Sequence, residues 1–267
     1  MMKKLINKKE TFLTDMIEGM LIAHPELDLI ANTVIVKKAK KEQGVAIVSG
    51  GGSGHEPAHA GFVAEGMLDA AVCGEVFTSP IPDKILEAIK AVDTGDGVLL
   101  VVKNYAGDVM NFEMAQELAE MEGINVETVI VRDDIAVTNE VQRRGVAGTV
   151  FVHKLAGYLA EKGIHREEVK DIDHIVGTLL DELYKEVTAN EVIVMVNGMG
   201  GTPLSELNIV TKYIQQNLAA RTVNVAKWFV GDYMTSLDMQ GFSITIVPNK
   251  PEYLEAFLAP TTSQYFK

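Results

Sequence analysis

The chain has 267 residues, room for one large domain or two ordinary ones, and its 47% hydrophobic and 23% charged residues are the balance of a soluble globular protein, not of a disordered chain. A formal charge of −13 and a pI near 4.9 argue against a nucleic-acid or anionic-membrane surface, which needs clustered lysine and arginine. A single cysteine, Cys73, permits no intrachain disulfide, the basic stretch from Met1 to Glu10 lacks the apolar core of a secretory signal, and no apolar run approaches the ~20 residues of a membrane span, so the expected location is the cytoplasm.

In chain order, Val45 to Val48 is the first short apolar run with the length and β-branched content of a buried strand. Pro82 and Asp83 then start a helix that places Ile85, Leu86, Ile89 and Val92 on one face. A second strand is predicted at Val98 to Val102, a helix carrying Phe112, Ala115, Leu118, Ala119 and Glu122 follows, and a third strand is predicted at Val126 to Val131. The polar stretch from Glu161 to Asp173 is the best candidate for a boundary. Beyond it come a strand at Val192 to Val196, a helix marked by Leu207, Val210, Ile214 and Leu218, and strands near Val223 to Ala226 and Ile244 to Val247. Strands that alternate with helices pair in parallel, because a parallel return needs a crossover. The expected fold is therefore α/β: two α/β domains, residues 1–170 and 171–267, with mixed, largely parallel sheets flanked by helices.

Polar, glycine-containing loops follow the first two strands: Ser49-Gly50-Gly51-Gly52-Ser53-Gly54-His55-Glu56 and Lys103-Asn104-Tyr105-Ala106-Gly107-Asp108. Open α/β sheets bind ligands at the carboxyl ends of their strands, and a glycine run lets backbone N–H groups approach a small ligand. A nucleotide cradle is the first rival. It lacks the Gly-Lys-Ser/Thr of a P-loop and the Rossmann spacing, and a plain strand-to-helix turn is as good a reading of a generic glycine run. Lys103 is more informative, since a charge placed directly after a buried strand needs a partner or ligand to offset its desolvation. Asp108 has a bland reading as a cap of the following helix, and His59, taken alone, has no argued role. Together the loops offer a donor, an imidazole and a carboxylate to one small polar molecule.

Gly50-Gly51-Gly52-Ser53-Gly54-His55-Glu56-Pro57-Ala58-His59-Ala60-Gly61 resembles the signature of the dihydroxyacetone kinase K-subunit family. The likeness continues in order through Phe77-Thr78-Ser79-Pro80, Lys103 to Asp108, Arg143 to Thr149, Asn197 to Pro203 and Thr235 to Ser243. It implies two α/β domains, usually paired as a homodimer, with the triose near the glycine-rich signature. It implies that Gly52, Ser53, Gly54 and His55 line the pocket, that Lys103 hydrogen-bonds dihydroxyacetone, and that Asp108, with His55, is catalytic, Asp108 as the base for the hydroxyl that is phosphorylated. No metal or cofactor is expected on this chain. By the same resemblance the phosphoryl donor comes from a separate L subunit carrying Mg-bound nucleotide, recharged by a phosphotransferase-system protein in many bacteria, or from a fused ATP-binding domain in other relatives.

One family block is not found. Relatives carry Gly-Ile-His-Gly-Glu-Pro-Gly, whose histidine bonds covalently to the substrate carbonyl, whereas here the chain passes between Lys170 and Ile175 almost directly from the first-domain pattern to a shortened second one. Val137 to Arg144 is also a few residues short. A loss from the protein and residues left out of the sequence as written both account for the gap. Gly163-Ile164-His165-Arg166-Glu167 echoes the missing motif, but its neighbours place it in an earlier segment, so His165 is not given the covalent role. The rival function is a triose-sensing coactivator of a transcription regulator, which needs only to bind; an inactive scaffold ranks last.

Overall fold

The computed structural model describes residues 5–6, 8–162 and 189–267. His165 and the expected boundary at 170/171 lie outside the described residues.

The first sheet has six strands: β1 (Leu27–Ile30), β2 (Val34–Lys37), β3 (Ala46–Ser53), β4 (Ala70–Val76), β5 (Val98–Lys103) and β6 (Val126–Val131), in the spatial order β1-β2-β4-β3-β5-β6. β4, β3, β5 and β6 run parallel, and the β1–β2 hairpin closes one edge antiparallel to β4. The central strands are apolar on both faces because both are covered. Ala46, Val48, Val98, Leu100 and Val102 point to one side, where Ile85, Ala88 and Ile89 of α2 (Pro82–Val92) and Phe112, Ala115 and Ala119 of α3 (Ala106–Met121) meet them. Val45, Ile47, Leu99 and Val101 point to the other side, towards α1 (Phe12–Ala23) and α4 (Gly148–Glu161).

The second sheet has the order β8-β7-β9, with β7 (Glu191–Gly198) central, β8 (Asn224–Gly231) parallel to it and β9 (Phe242–Pro248) antiparallel. Val192, Val194 and Val196 pack on Leu207 and Leu218 of α5 (Leu204–Ala220). The alternate residues Ile193 and Met195 join the core that contains α4 and Tyr253 and Phe257 of α6 (Pro251–Leu258). Phe151 of α4 stacks on Phe257 at 4.5 Å and meets Phe229 of β8 edge-on at 5.4 Å. α4 is therefore the shared layer between the sheets, and every residue from Gly148 to Gly157 is buried, His153 and Lys154 included.

The expected α/β class with a largely parallel sheet flanked by helices is the observed one. Each predicted strand and helix is present, most of them longer at one or both ends. One reading is corrected: Gly50 to Gly52 are not loop, because β3 continues through them to Ser53. The sequence reading also missed β1, β2, β4, α1, α4 and α6.

α4 lies so close to the turn at Met67 that a Cβ on Gly157 would meet the Met67 N, Cα and O atoms at 2.4–2.5 Å. Gly157→Ala should destabilise the fold by roughly 1–3 kcal/mol through overpacking, outweighing the ~1 kcal/mol that alanine gains in a helix. Urea unfolding of the two proteins measures it.

Candidate active site

The carboxyl ends of β3 and β5 open side by side, as neighbours in a parallel sheet must. β3 reaches that edge as glycine because the chain crosses it closely: a Cβ on Gly50 would meet Val72 O at 2.6 Å, and one on Gly52 would meet Thr78 N at 2.5 Å and the Phe77 backbone at 2.8 Å. The chain then turns at Gly54, whose φ of +106° suits glycine, and presents His55. The His55 ring packs against Phe77 with 5.1 Å between centroids, and its Nδ1 lies 2.6 Å from the carbonyl oxygen of Thr235. A carbonyl only accepts, so Nδ1 carries the proton and Nε2 keeps its lone pair.

β5 ends at Lys103, which is buried, and the following turn starts α3 with Asp108 in its first turn. Tyr105 occupies the cap position; Asp108 stands inside the helix and does not cap it. The Arg143 to Thr149 segment closes over Lys103, and Gly145 is glycine because a Cβ there would lie 2.8 Å from Lys103 Cα. Gly52, His55, Ser79, Lys103, Tyr105 and Asp108 line a cleft of about 280 Å³. A second cleft of about 260 Å³ adjoins it, shares His55, Lys103 and Tyr105, and is bounded by Arg144, Asn197 and Met234.

Burial dominates the electrostatics. It lowers the affinity of Lys103 for its proton, against the opposing pull of Asp108 and Asp133. It raises Asp108, against a hydrogen bond from Ser79 and the charge of Lys103. Asp108 Oδ1 is buried with no hydrogen-bond partner. His55 is lowered by burial and then by Lys103, while its bond to Thr235 works the other way. Asp133, raised to about 6 by burial, accepts from the backbone N–H groups of Val146 and Gly148 at 2.6 and 2.7 Å and so holds the start of α4. The cleft thus collects a buried cation, an unpaired carboxylate oxygen and an imidazole lone pair.

Of the six residues expected to hold substrate, Gly52, His55, Lys103 and Asp108 line the first cleft. Ser53 does not join them: its hydroxyl donates to Gly74 O at 2.7 Å and is buried. Gly54 also stands outside the lining, its N–H bonded to the Glu56 carboxylate at 3.0 and 3.1 Å. Ser79, Tyr105 and Ser236 lie within sequence blocks that carried the resemblance but received no role there. Asp133 lay outside those blocks, and no local signal marked it.

The Dak1 domain family matches residues 18–171 and 157–265. The chain belongs to the Dak1 domain family. The PTS-dependent dihydroxyacetone kinase 1, dihydroxyacetone-binding subunit DhaK of Listeria innocua is 41% identical over 314 residues, covering 94% of this chain and 95% of the relative. That alignment is longer than the 267-residue chain, so the relative carries segments absent here, in keeping with the two separate family matches that meet near residues 157–171. The solved dihydroxyacetone kinase of C. freundii superposes with a TM-score of 0.89 at 32% identity, covering all of this chain and 60% of its own. The solved dihydroxyacetone kinase operon co-activator Dha-DhaQ superposes with a TM-score of 0.88 at 29% identity, covering 95% of this chain and 98% of its own.

Two buried histidines beneath the cleft set an acid limit on this fold. Burial holds His153 at about 3 and His59 well below 6.5, so between pH 6.5 and 3 the unfolded chain binds protons that the folded chain does not, and stability falls with pH. Asp133 acts in the opposite sense: its raised value of about 6 adds stability below that pH, lost as pH rises through 6. From pH 6.5 to 5 the two histidines should therefore cost stability, partly offset by Asp133. His153→Phe should recover roughly 1.5 kcal/mol of that loss, read from urea unfolding of both proteins at the two pH values.

Proposed function

We propose that this chain is the dihydroxyacetone-binding subunit of a phosphotransferase-system-linked dihydroxyacetone kinase, holding the triose while a nucleotide-bearing L subunit supplies the phosphoryl group. The observation that carries the reading is the unpartnered buried oxygen of Asp108, in one cleft with the Lys103 ammonium and His55. The 41% identity to a subunit of that name supports it.

In this reading a triose hydroxyl fills the vacant hydrogen bond of Asp108, and Lys103 donates to a second oxygen of the substrate. The hydroxyl oxygen attacks the phosphorus of the donor, the bond from that phosphorus to its former oxygen breaks, and the hydroxyl proton passes to the Asp108 carboxylate. Burial makes that carboxylate a better proton acceptor than an exposed one. The His55 Nε2 lone pair accepts from a further triose hydroxyl and fixes its orientation. Phosphoryl transfer is largely a matter of position and charge, which is the share this chain supplies. In this reading the chain works in the cytoplasm, in keeping with its single cysteine, and pairs as a homodimer, as the sequence resemblance implies.

The co-activator reading has two observations in its favour, the likeness to Dha-DhaQ and the histidine block not found in the sequence. The two readings part on turnover with a supplied L subunit and phosphoryl donor, which a sensor would not show.

Asp108→Asn should leave dihydroxyacetone binding largely intact and lower turnover by about 10²–10⁴-fold, the share typical of a positioned base; steady-state assay of the reconstituted system and calorimetry with dihydroxyacetone measure both. Without the family's histidine block the triose should bind reversibly. Native mass spectrometry with dihydroxyacetone and with glycerol should then find weak complexes of both and no covalent adduct of either.

A further inference from the structure

Beneath the first cleft lies a buried polar group that the proposed reaction does not use. His59 and His153 are both fully enclosed, with His59 Nδ1 2.9 Å from His153 Nε2 and 3.3 Å from Ser49 Oγ. Ser49 Oγ gives its own hydrogen to Val101 O at 2.6 Å, so towards His59 it can only accept. Nδ1 of His59 is therefore the protonated nitrogen, and it donates to His153 Nε2 as well.

That tautomer leaves Nε2 of His59 as a bare lone pair, and this atom is buried without a hydrogen-bond partner. It faces Lys103: a Cβ on Gly51 would lie 3.5 Å from both His59 Nε2 and Lys103 Nζ, so the two atoms border the same small space beside β3. The opposite tautomer would aim an N–H at an ammonium. The choice of proton position made by Ser49 and the choice made by the charge of Lys103 agree.

We propose that His59 is a positioning residue for substrate binding, a neutral imidazole fixed by Ser49 and His153 whose Nε2 lone pair receives the Lys103 ammonium through one water and aims it into the cleft. This assignment rests on the proposed triose site, but the contact itself stands apart from turnover. The charged and titratable groups around Lys103 are Asp108 from α3, Asp133 from the segment after β6, Tyr105 from the turn after β5, whose ring centroid lies 5.4 Å from Nζ, His55 and His59 from the loop after β3, and His153 from α4. His153 acts one step further back, and its own Nδ1–H has no partner. That arrangement is poor for a purely structural pair and reasonable for one that serves a third group.

The test reads Lys103 itself. Wild type, His59→Phe and His59→Gln are treated with an amine-reactive reagent at several pH values, and modification of Lys103 is followed by peptide mass spectrometry. His59→Phe removes the acceptor, so a larger share of Lys103 should be uncharged and its modification at pH 8 should rise about tenfold, one unit of displaced titration. His59→Gln keeps an acceptor at the same reach and should restore most of the wild-type rate. Unchanged modification in a folded His59→Phe protein would overturn the proposal. If that variant does not fold, long-range ¹H–¹⁵N spectra of the wild type decide: His59 should carry its proton on Nδ1, with an Nε2 signal that shifts in Lys103→Met, and a proton found on Nε2 would refute the assignment. Absence of kinase turnover would count against the triose reading alone and leave this result standing.

Discussion

A lysine is buried where β5, a strand enclosed along its whole length, comes to its end, and much of the surrounding structure answers to it. Taking an ammonium out of water costs several kcal/mol unless charges and hydrogen bonds compensate. Asp108 approaches from the first turn of α3 and Asp133 from the segment after β6, where it accepts from the amide at the start of α4. Asp133 also ties down the Val146 and Gly148 amides, so the residue that balances the lysine electrostatically builds the wall that covers it. Two carboxylates for one ammonium leave a surplus acceptor, and it is Asp108 Oδ1 that remains buried and unpaired beside the cleft.

Glycine makes this density possible. Gly145 lets a backbone segment rest on Lys103 Cα, Gly148 gives room to the Asp133 carboxylate, and Gly50 and Gly52 let the 72–78 segment press on β3. These are demands of packing. A glycine-rich run beside a ligand cleft invites the idea that backbone amides hold the ligand. Here Ser53 and Gly54 spend their donors within the protein, on Gly74 and Glu56, and the side chains of His55, Lys103 and Asp108 are left to line the cleft.

The sequence made the α/β frame legible because buried parallel strands are apolar on both faces and stand out as short unbroken runs; β5 and β6 were read nearly to the residue. β4 was hidden because Ala70-Ala71-Val72-Cys73-Gly74-Glu75-Val76 is small and ends polar, its composition set by close neighbours and not by strand propensity. α4 was hidden because it is buried on all sides and so has no polar face to give a helical period. Of the site, Lys103 was legible as a charge after a buried strand and Asp108 by family likeness. Asp133 and the His59–His153 pair were not, since their roles depend on contacts across 13 to 94 positions in the chain that no local pattern encodes.

The central claim is that a triose binds at the buried Lys103 and its carboxylates, and calorimetric titration of dihydroxyacetone into wild type and Lys103→Met tests it most directly. The account predicts saturable binding to the wild type and at least a tenfold loss of affinity in a variant whose unfolding shows it intact. Equal affinity in the two proteins would contradict it and move the triose site away from this cleft.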